Sequence, residues 1–152
     1  MNTKYQDIIS RFPDYMKKLT DDSPVLPYEL ENIPKRGIYV FYENSKPIYV
    51  GRSKNLKQRF RQHRQQSSGH NSATFAFMIA KMDAEKVGVD IKRTREELQN
   101  DSVFSSIFSK TKKRVSEMQV QVLQMDDPIE QTLFEVYAAL ELKTEYNNWE
   151  TH

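Results

Sequence analysis

The stretch from Gly37 to Arg64, GIYVFYENSKPIYVGRSKNLKQRFRQHR, constrains the fold more than any other part of the chain. Two short apolar runs, Ile38 to Tyr42 and Ile48 to Val50, flank the turn-like Glu43-Asn44-Ser45-Lys46-Pro47. This pattern predicts a β-hairpin. Pro47 falls at a strand start, where its missing N–H does no harm. Gly51 ends the second run. Ser53 or Asn55 can then cap a helix, because a short side-chain oxygen accepts from a free N–H of the first turn. Leu56, Phe60 and His63 recur at i, i+4 and i+7 and share one face of that helix. Arg59 borders the face, one turn before His63. A hairpin bearing tyrosines, followed by a helix bearing a guanidinium and an imidazole, could form a site that binds phosphate and moves a proton.

Charge points the same way. Residues 35–64 hold nine cations, Lys35, Arg36, Lys46, Arg52, Lys54, Lys57, Arg59, Arg61 and Arg64, against the single anion Glu43. The whole chain carries only +2, so this zone is +8 and the remainder −6. A charge run alone reads as a solvated helix face. Tyrosines interleaved with the cations, and an arginine beside an apolar stripe, favour a phosphate-backbone partner instead.

At 152 residues the chain can bury a sizeable core but has little room for two independent ones. Its hydrophobic content of 38% and charged content of 29% are those of a soluble globular protein. No apolar run approaches the length of a membrane span. The first eighteen residues lack the apolar core of a secretion signal. The sequence has no cysteine, which excludes disulfides, a thiolate nucleophile and Cys-zinc sites and fits a cytoplasmic location. His63, His70 and His152 are too scattered for a histidine-rich metal site.

Residues 1–20 read as helical, with Pro13 kinking the helix or starting a second one. Residues 21–36, with Pro24, Pro27 and Pro34, read as an extended connector. Residues 65–69 read as a loop, after which Asn71 or Ser72 caps a helix with Phe75, Met78, Ile79 and Met82 as its core stripe. The alternation of Val87, Val89 and Ile91 suggests a short strand. Thr94 with Glu97 resembles a capping box for a helix running to about Phe108. Lys110 to Arg114 reads as a basic loop. A β-branched segment near 115–124 predicts a third strand. Asp126 or Asp127 caps the last helix, with Pro128 in its first turn. Ile129, Leu133, Val136, Tyr137 and Leu140 are its expected core stripe. Glu135 lies off that stripe, on the side of Ala138 and Ala139, where small neighbours leave its carboxylate room to reach a ligand.

These residues together resemble the GIY-YIG endonucleases, across most of residues 36–148. Gly37-Ile38-Tyr39 matches the first signature. Tyr49-Val50-Gly51 matches the second, with valine for the usual isoleucine. Arg59 stands ten residues after Tyr49, at the place of the family's catalytic arginine, and His63 four further on. Glu135 fits the metal-binding glutamate of a later helix, with Glu130 and Glu141 as alternatives. Asn147 follows Glu135 by twelve positions in a Tyr-Asn pair, Tyr146-Asn147.

The resemblance implies a mixed α+β fold: a small three-stranded antiparallel sheet flanked by helices. A helical arm and connector would occupy residues 1–36. The nuclease domain would occupy 37–152, with a helical insertion at about 66–113 of the kind found in restriction enzymes. It implies hydrolysis of DNA, double-stranded by expectation, to 5′-phosphate and 3′-hydroxyl ends. Glu135 would hold one Mg²⁺ or Mn²⁺, Arg59 the phosphate. Tyr39 would serve as general base, with a partner such as His63 favouring its phenolate. Tyr49 would position water or phosphate and Asn147 would orient the site. Arg36, Arg52, Lys54, Lys57, Arg61 and Arg64 are the expected nucleic-acid contacts. Cutting both strands calls for a homodimer or two successive nicks. A restriction, defence or repair role fits, and the alternative is a nucleic-acid-binding module that no longer cuts.

Overall fold

The turn between the first two strands sets the geometry of the hairpin. Asn44 and Ser45 both take positive φ, 51° and 63°. Two consecutive left-handed residues make a tight turn whose twist matches that of the strands it joins. In the computed structural model, which describes residues 2–65 and 74–149, this turn joins β1, Gly37–Glu43, to β2, Lys46–Ser53. The expected caps Asn71 and Ser72, and the expected loop residues Gln66 to Gly69, lie outside the described residues. A third strand, β3, runs Gln119–Gln124 and pairs antiparallel with β1. The sheet order is β2-β1-β3, which leaves β1 in the centre with Gly37 to Tyr42 buried. Pro47 lies on β2, an edge strand, so its missing N–H interrupts no inner ladder.

By contact the chain divides into two units, Met1–Lys57 with Met118–His152, and Gln58–Glu117. The first holds the sheet, helices α1 (Thr3–Ser10) and α2 (Phe12–Asp21), a 3-10 turn at Pro27–Glu29, and the last helix, α7 (Pro128–Leu142). The second holds most of α3 (Leu56–Arg64), together with α4 (Thr74–Lys86), α5 (Arg95–Asn100) and α6 (Ser102–Ser116).

In the first unit, Asn2 caps α1 by accepting from Lys4 N–H at 2.8 Å, and Pro13 opens α2 as a separate helix. One face of the sheet, Ile38, Val40, Tyr42 and Val50, packs with Ile8, Phe12, Leu19, Phe134 and Ala138 into a single apolar core. Phe134 is its hub. The Phe12 and Tyr15 rings meet it edge-on, with centroids at 5.3 and 5.9 Å. The connector is held to the sheet by a bridge between Val25 and Val120 and by Gln121, which donates to the Asp22 carbonyl and accepts from the Tyr42 hydroxyl.

Helix α7 corrects the sequence expectation. Asp127 caps it, accepting from the N–H groups of Ile129 and Glu130 at 2.8 and 2.9 Å, with Pro128 in the first turn. Its core face is Gln131, Phe134, Ala138 and Ala139. Ile129 and Leu140, expected inside, are 51% and 68% exposed, and Val136 is exposed too. Gln131 goes inside because its amide donates to the Met125 carbonyl, so a polar residue on the core face leaves no group unsatisfied.

The second unit packs Phe77 of α4 against Phe104 and Phe108 of α6, at 5.2 and 5.5 Å. Thr94 and Glu97 form the expected capping box, but the helix stops at Asn100. Asp101 caps a new one by accepting from Val103 and Phe104 N–H at 2.9 and 3.0 Å. Lys110 to Val115 continue α6, where a basic loop and the start of a strand were expected. Val87 and Gly88 form a turn, and residues 89–91 take no strand.

Truncating the hub tests this account. Phe134→Ala should cost about 3–5 kcal/mol of unfolding free energy, the usual cost of a cavity left by a buried phenylalanine. Exposed Leu140→Ala should cost under about 1 kcal/mol. Denaturant unfolding monitored by circular dichroism measures both.

Candidate active site

Two glycines decide where the hairpin tyrosines sit, for different reasons. A Cβ on Gly37 would lie 2.0 Å from the Leu123 carbonyl oxygen, so this position must be bare for β3 to pair closely with β1. A Cβ on Gly51 would lie 2.4 Å from both the hydroxyl and the Cζ of Tyr39. Gly51 stands opposite Tyr39 in the ladder, and the end of the phenol ring lies over its backbone. Tyr39 is 3% exposed. Its ring is edge-on to Phe41 at 5.5 Å and tilted to Tyr49 at 6.3 Å. Successive strand residues face opposite ways, so Tyr39, Phe41, Tyr49 and Gly51 share the sheet face away from the Phe134 core.

Asn147 grips the next residue along the same strand. Its Oδ1 accepts from Val50 N–H at 2.9 Å and its Nδ2 donates to the Val50 carbonyl at 2.8 Å. The Thr144 hydroxyl donates to Oδ1 at 2.6 Å, and Tyr146 N–H donates to the Ile48 carbonyl at 3.2 Å. The tail thus satisfies the outer edge of β2 as a fourth strand would. With both polar atoms of its amide on β2, Asn147 acts by holding the strand between Tyr49 and Gly51.

Arg52 and Glu135 complete the series. The Arg52 Nε donates to Glu135 Oε2 at 3.1 Å. The Glu135 side chain is 17% exposed and that of Arg52 42%. Burial raises the Glu135 pKa above the ordinary carboxylate value, against the opposing pull of Arg52. Four consecutive residues of β2 therefore meet Tyr39, Asn147 and Glu135 from alternate faces: Tyr49 and Gly51 meet Tyr39 on one face of the sheet, Arg52 meets Glu135 on the side where α7 packs, and Val50 is held at the strand edge by the amide clamp.

The sequence missed Arg52 in this role, having given it to nucleic acid alone. The available signal was register: Arg52 follows Val50 by two, so it shares the core-facing side of β2 on which α7 packs. Thr144 and the seat made by Gly51 were likewise missed. Of the alternative carboxylates, Glu130 accepts from Arg11 Nε at 3.1 Å and from the Tyr15 hydroxyl at 3.4 Å, while Glu141 is exposed.

Around the end of the hairpin, Lys35, Arg36, Lys54 and Lys57 are all exposed. Leu56 N–H donates to the Lys35 carbonyl at 2.8 Å and Met125 N–H to the Arg36 carbonyl at 3.2 Å, which fixes that corner. Ser53 accepts from Asn55 N–H at 3.0 Å ahead of α3.

Arg59 and His63 belong to the second unit. Leu56, Phe60 and His63 are buried, as their shared face predicts, Arg59 is half-buried and Arg61 exposed. The side chain of Arg64 lies outside the described part. His63 stands edge-on to Phe75 at 6.3 Å. Burial, and then repulsion from Arg59, lower its pKa from 6.5 to about 3. It is therefore a neutral imidazole at neutral pH, able to accept or donate a hydrogen bond but not to act as a cation beside a phenolate.

The donor set fits one hard divalent cation. Among the described residues no group of three or more His, Cys, Asp or Glu side chains is placed to hold a metal. Mg²⁺ needs no such cage: it keeps most of its waters and takes one or two carboxylates plus substrate oxygens. Glu135, half-buried and beside a single cation, is a suitable ligand of that kind.

A three-stranded antiparallel sheet flanked by helices is consistent with a nuclease fold. The family model for the GIY-YIG catalytic domain matches residues 35–147, and the chain belongs to the GIY-YIG family, which makes it a phosphodiester hydrolase of the nuclease class. Comparisons with curated proteins and with solved structures find no match. Among the described residues no helix is long and apolar enough to cross a membrane.

Two outcomes follow from this geometry. Gly51→Ala should displace the Tyr39 ring while leaving most of the fold in place, seen as a perturbed near-ultraviolet circular dichroism signal and a nuclease activity at least tenfold lower. His63 makes the protein acid-sensitive. Its folded pKa lies below the unfolded value, so the unfolded chain takes up a proton first and stability falls as pH drops from 6.5 toward 3. Between pH 7 and pH 5 the wild type should lose roughly 2 kcal/mol more than His63→Gln in urea unfolding.

Proposed function

We propose that this nuclease is a metal-dependent endonuclease that cuts DNA, leaving 5′-phosphate and 3′-hydroxyl ends. The observation that carries the reading is the family match across residues 35–147, and the run Tyr49 to Arg52 supports it by contacting Tyr39 from one face of β2, Glu135 from the other and Asn147 at the edge. Glu135 holds Mg²⁺ or Mn²⁺, which when bound supplies Lewis-acid stabilisation of the leaving 3′ oxygen. Tyr39, seated on Gly51, would take the proton of the attacking water as its phenolate, favoured by the nearby cations and the bound metal and returned to that state by loss of the proton to solvent, and Tyr49 positions the water or the phosphate. Arg59, by the family's spacing, grips the phosphate with its fixed fork of donors and offsets the charge that builds in the transition state. His63 supports the site as a neutral hydrogen-bonding group. Asn147 keeps β2 in place.

Lys54, Lys57, Arg36, Arg61 and Arg64 follow the DNA backbone. The arm at 1–36 and the insertion at 66–113 add the affinity that a stand-alone cutter needs. Duplex cleavage proceeds through a homodimer or two successive nicks, in a restriction, defence or repair process in the cytoplasm. A non-cleaving DNA-binding module is the competing reading, and the nuclease family favours cleavage over it.

Plasmid nicking decides between them. With Mg²⁺ the wild type should convert supercoiled DNA to open circles whose nicks ligase reseals directly, as 5′-phosphate and 3′-hydroxyl ends require. Glu135→Gln should lower the rate roughly a hundredfold or more, with DNA binding retained. Equal nicking by the two proteins would remove Glu135 from the mechanism. Binding without nicking by the wild type, in both Mg²⁺ and Mn²⁺, would establish the competing reading.

A further inference from the structure

The ion pair between Arg52 and Glu135 occupies the group that the cation needs. Only one contact makes it: Nε to Oε2 at 3.1 Å. Among the described residues the two terminal nitrogens of Arg52 make no hydrogen bond or ion pair, and the side chain is 42% exposed. This is not the two-pronged grip that guanidinium makes with carboxylate where the pair is built to last. A single-contact pair whose guanidinium is largely in solvent is held weakly and exchanges readily. Arg52 also stands at the exit of β2, two residues before Lys54, where the exposed cations of the hairpin end begin.

We propose that Arg52 exchanges partners, holding Glu135 while the carboxylate is metal-free and a DNA phosphate once the carboxylate is taken by a divalent cation. The inference rests on Glu135 being the cation's ligand. Its physical basis is charge. Glu135 and Arg52 together are neutral, and a doubly charged ion on Glu135 leaves a net positive pair that repels the guanidinium toward solvent. A planar fork of donors so released matches a phosphate better than any lysine can. In the metal-free protein the same arginine keeps a half-buried carboxylate from facing DNA as an uncompensated anion. Cation and DNA then each favour the other's binding, by the same factor in both directions.

The test is equilibrium binding of a fluorescent duplex to the full chain, read by anisotropy at constant ionic strength, with Ca²⁺ as the divalent ion and the DNA checked for integrity. Wild type should bind the duplex about 5- to 20-fold more tightly with Ca²⁺ than without, within the usual range of coupling between sites. In Arg52→Gln this ratio should fall severalfold, leaving only what the cation gains from its own contact with the phosphate. Glu135→Gln should bind without Ca²⁺ about as tightly as wild type does with it, because its arginine is already free. Arg52→Lys should recover part of the ratio, since it restores the charge but not the fork. A Ca²⁺ effect of full size in Arg52→Gln would overturn the exchange and leave the nuclease reading intact. Weaker metal-free binding by Glu135→Gln than by wild type would overturn it as well. Failure of the wild type to bind DNA under any of these conditions would overturn both the exchange and the DNA-cutting reading beneath it.

Discussion

The contact between the Tyr39 ring and the bare backbone of Gly51 is the constraint from which the rest of the site follows. It exists only because antiparallel register sets these two residues opposite each other. It leaves no space for a methyl group, let alone a larger side chain. Burying a phenol against a backbone also fixes its direction, which a surface tyrosine would lack. The hydroxyl is thereby held by packing on rigid strands, so its position depends on the ladder and not on loop conformation. Gly37 serves the same ladder from the other side, by letting β3 approach closely enough to keep β1 central.

An edge strand is a precarious place for such a site, because its outer N–H and C=O groups invite other partners. Here the C-terminal tail closes that edge. Asn147 offers a side-chain amide to the Val50 backbone in place of a neighbouring strand, and Tyr146 adds a true backbone bond at Ile48. Thr144 in turn anchors Asn147. The residues that hold the site are therefore also those that end the sheet, which explains how a tail residue so distant in sequence can matter to hairpin tyrosines it need not touch.

The sequence made the hairpin and the starts of α2, α5 and α7 legible, because each depends on local chemistry. Asn44-Ser45 between β-formers, Thr94 with Glu97 and Asp127 with Pro128 all satisfy backbone groups within a few residues of themselves. It failed where a distant partner decides. Gln131 is buried only because the Met125 carbonyl awaits its amide, and that rotates the true core face of α7 away from Ile129, Val136 and Leu140. Lys110 to Arg114 are helical despite their charge because Phe104, Phe108, Thr111 and Val115 supply a buried face on the same helix. The Asp101 break was readable, since an aspartate followed by a helical pattern is a cap signal, but the stronger capping box that starts seven residues earlier, at Thr94, masked it. The spacing of Tyr39, Tyr49, Glu135 and Asn147 was visible too. What each touches was not: nothing local says that Arg52, among nine cations, is the one that meets the carboxylate.

Electrostatics sharpens that last point. On the proposed reading Glu135 holds its carboxylate where a polyanion binds, and burial makes its charged form harder to keep. Leaving the acid in open water would keep it charged but forfeit the strength that a partly desolvated ligand gives to any cation it holds. Placing several acids together would raise that strength further while repelling DNA. A lone half-buried glutamate with one loosely held arginine lies between these extremes. The arginine offsets the cost of burial and lowers the repulsion felt by an approaching phosphate, while its single contact leaves the carboxylate open to a competing ion. The same reasoning accounts for His63. A buried imidazole held neutral beside Arg59 adds hydrogen-bonding capacity without adding charge to a zone already rich in cations.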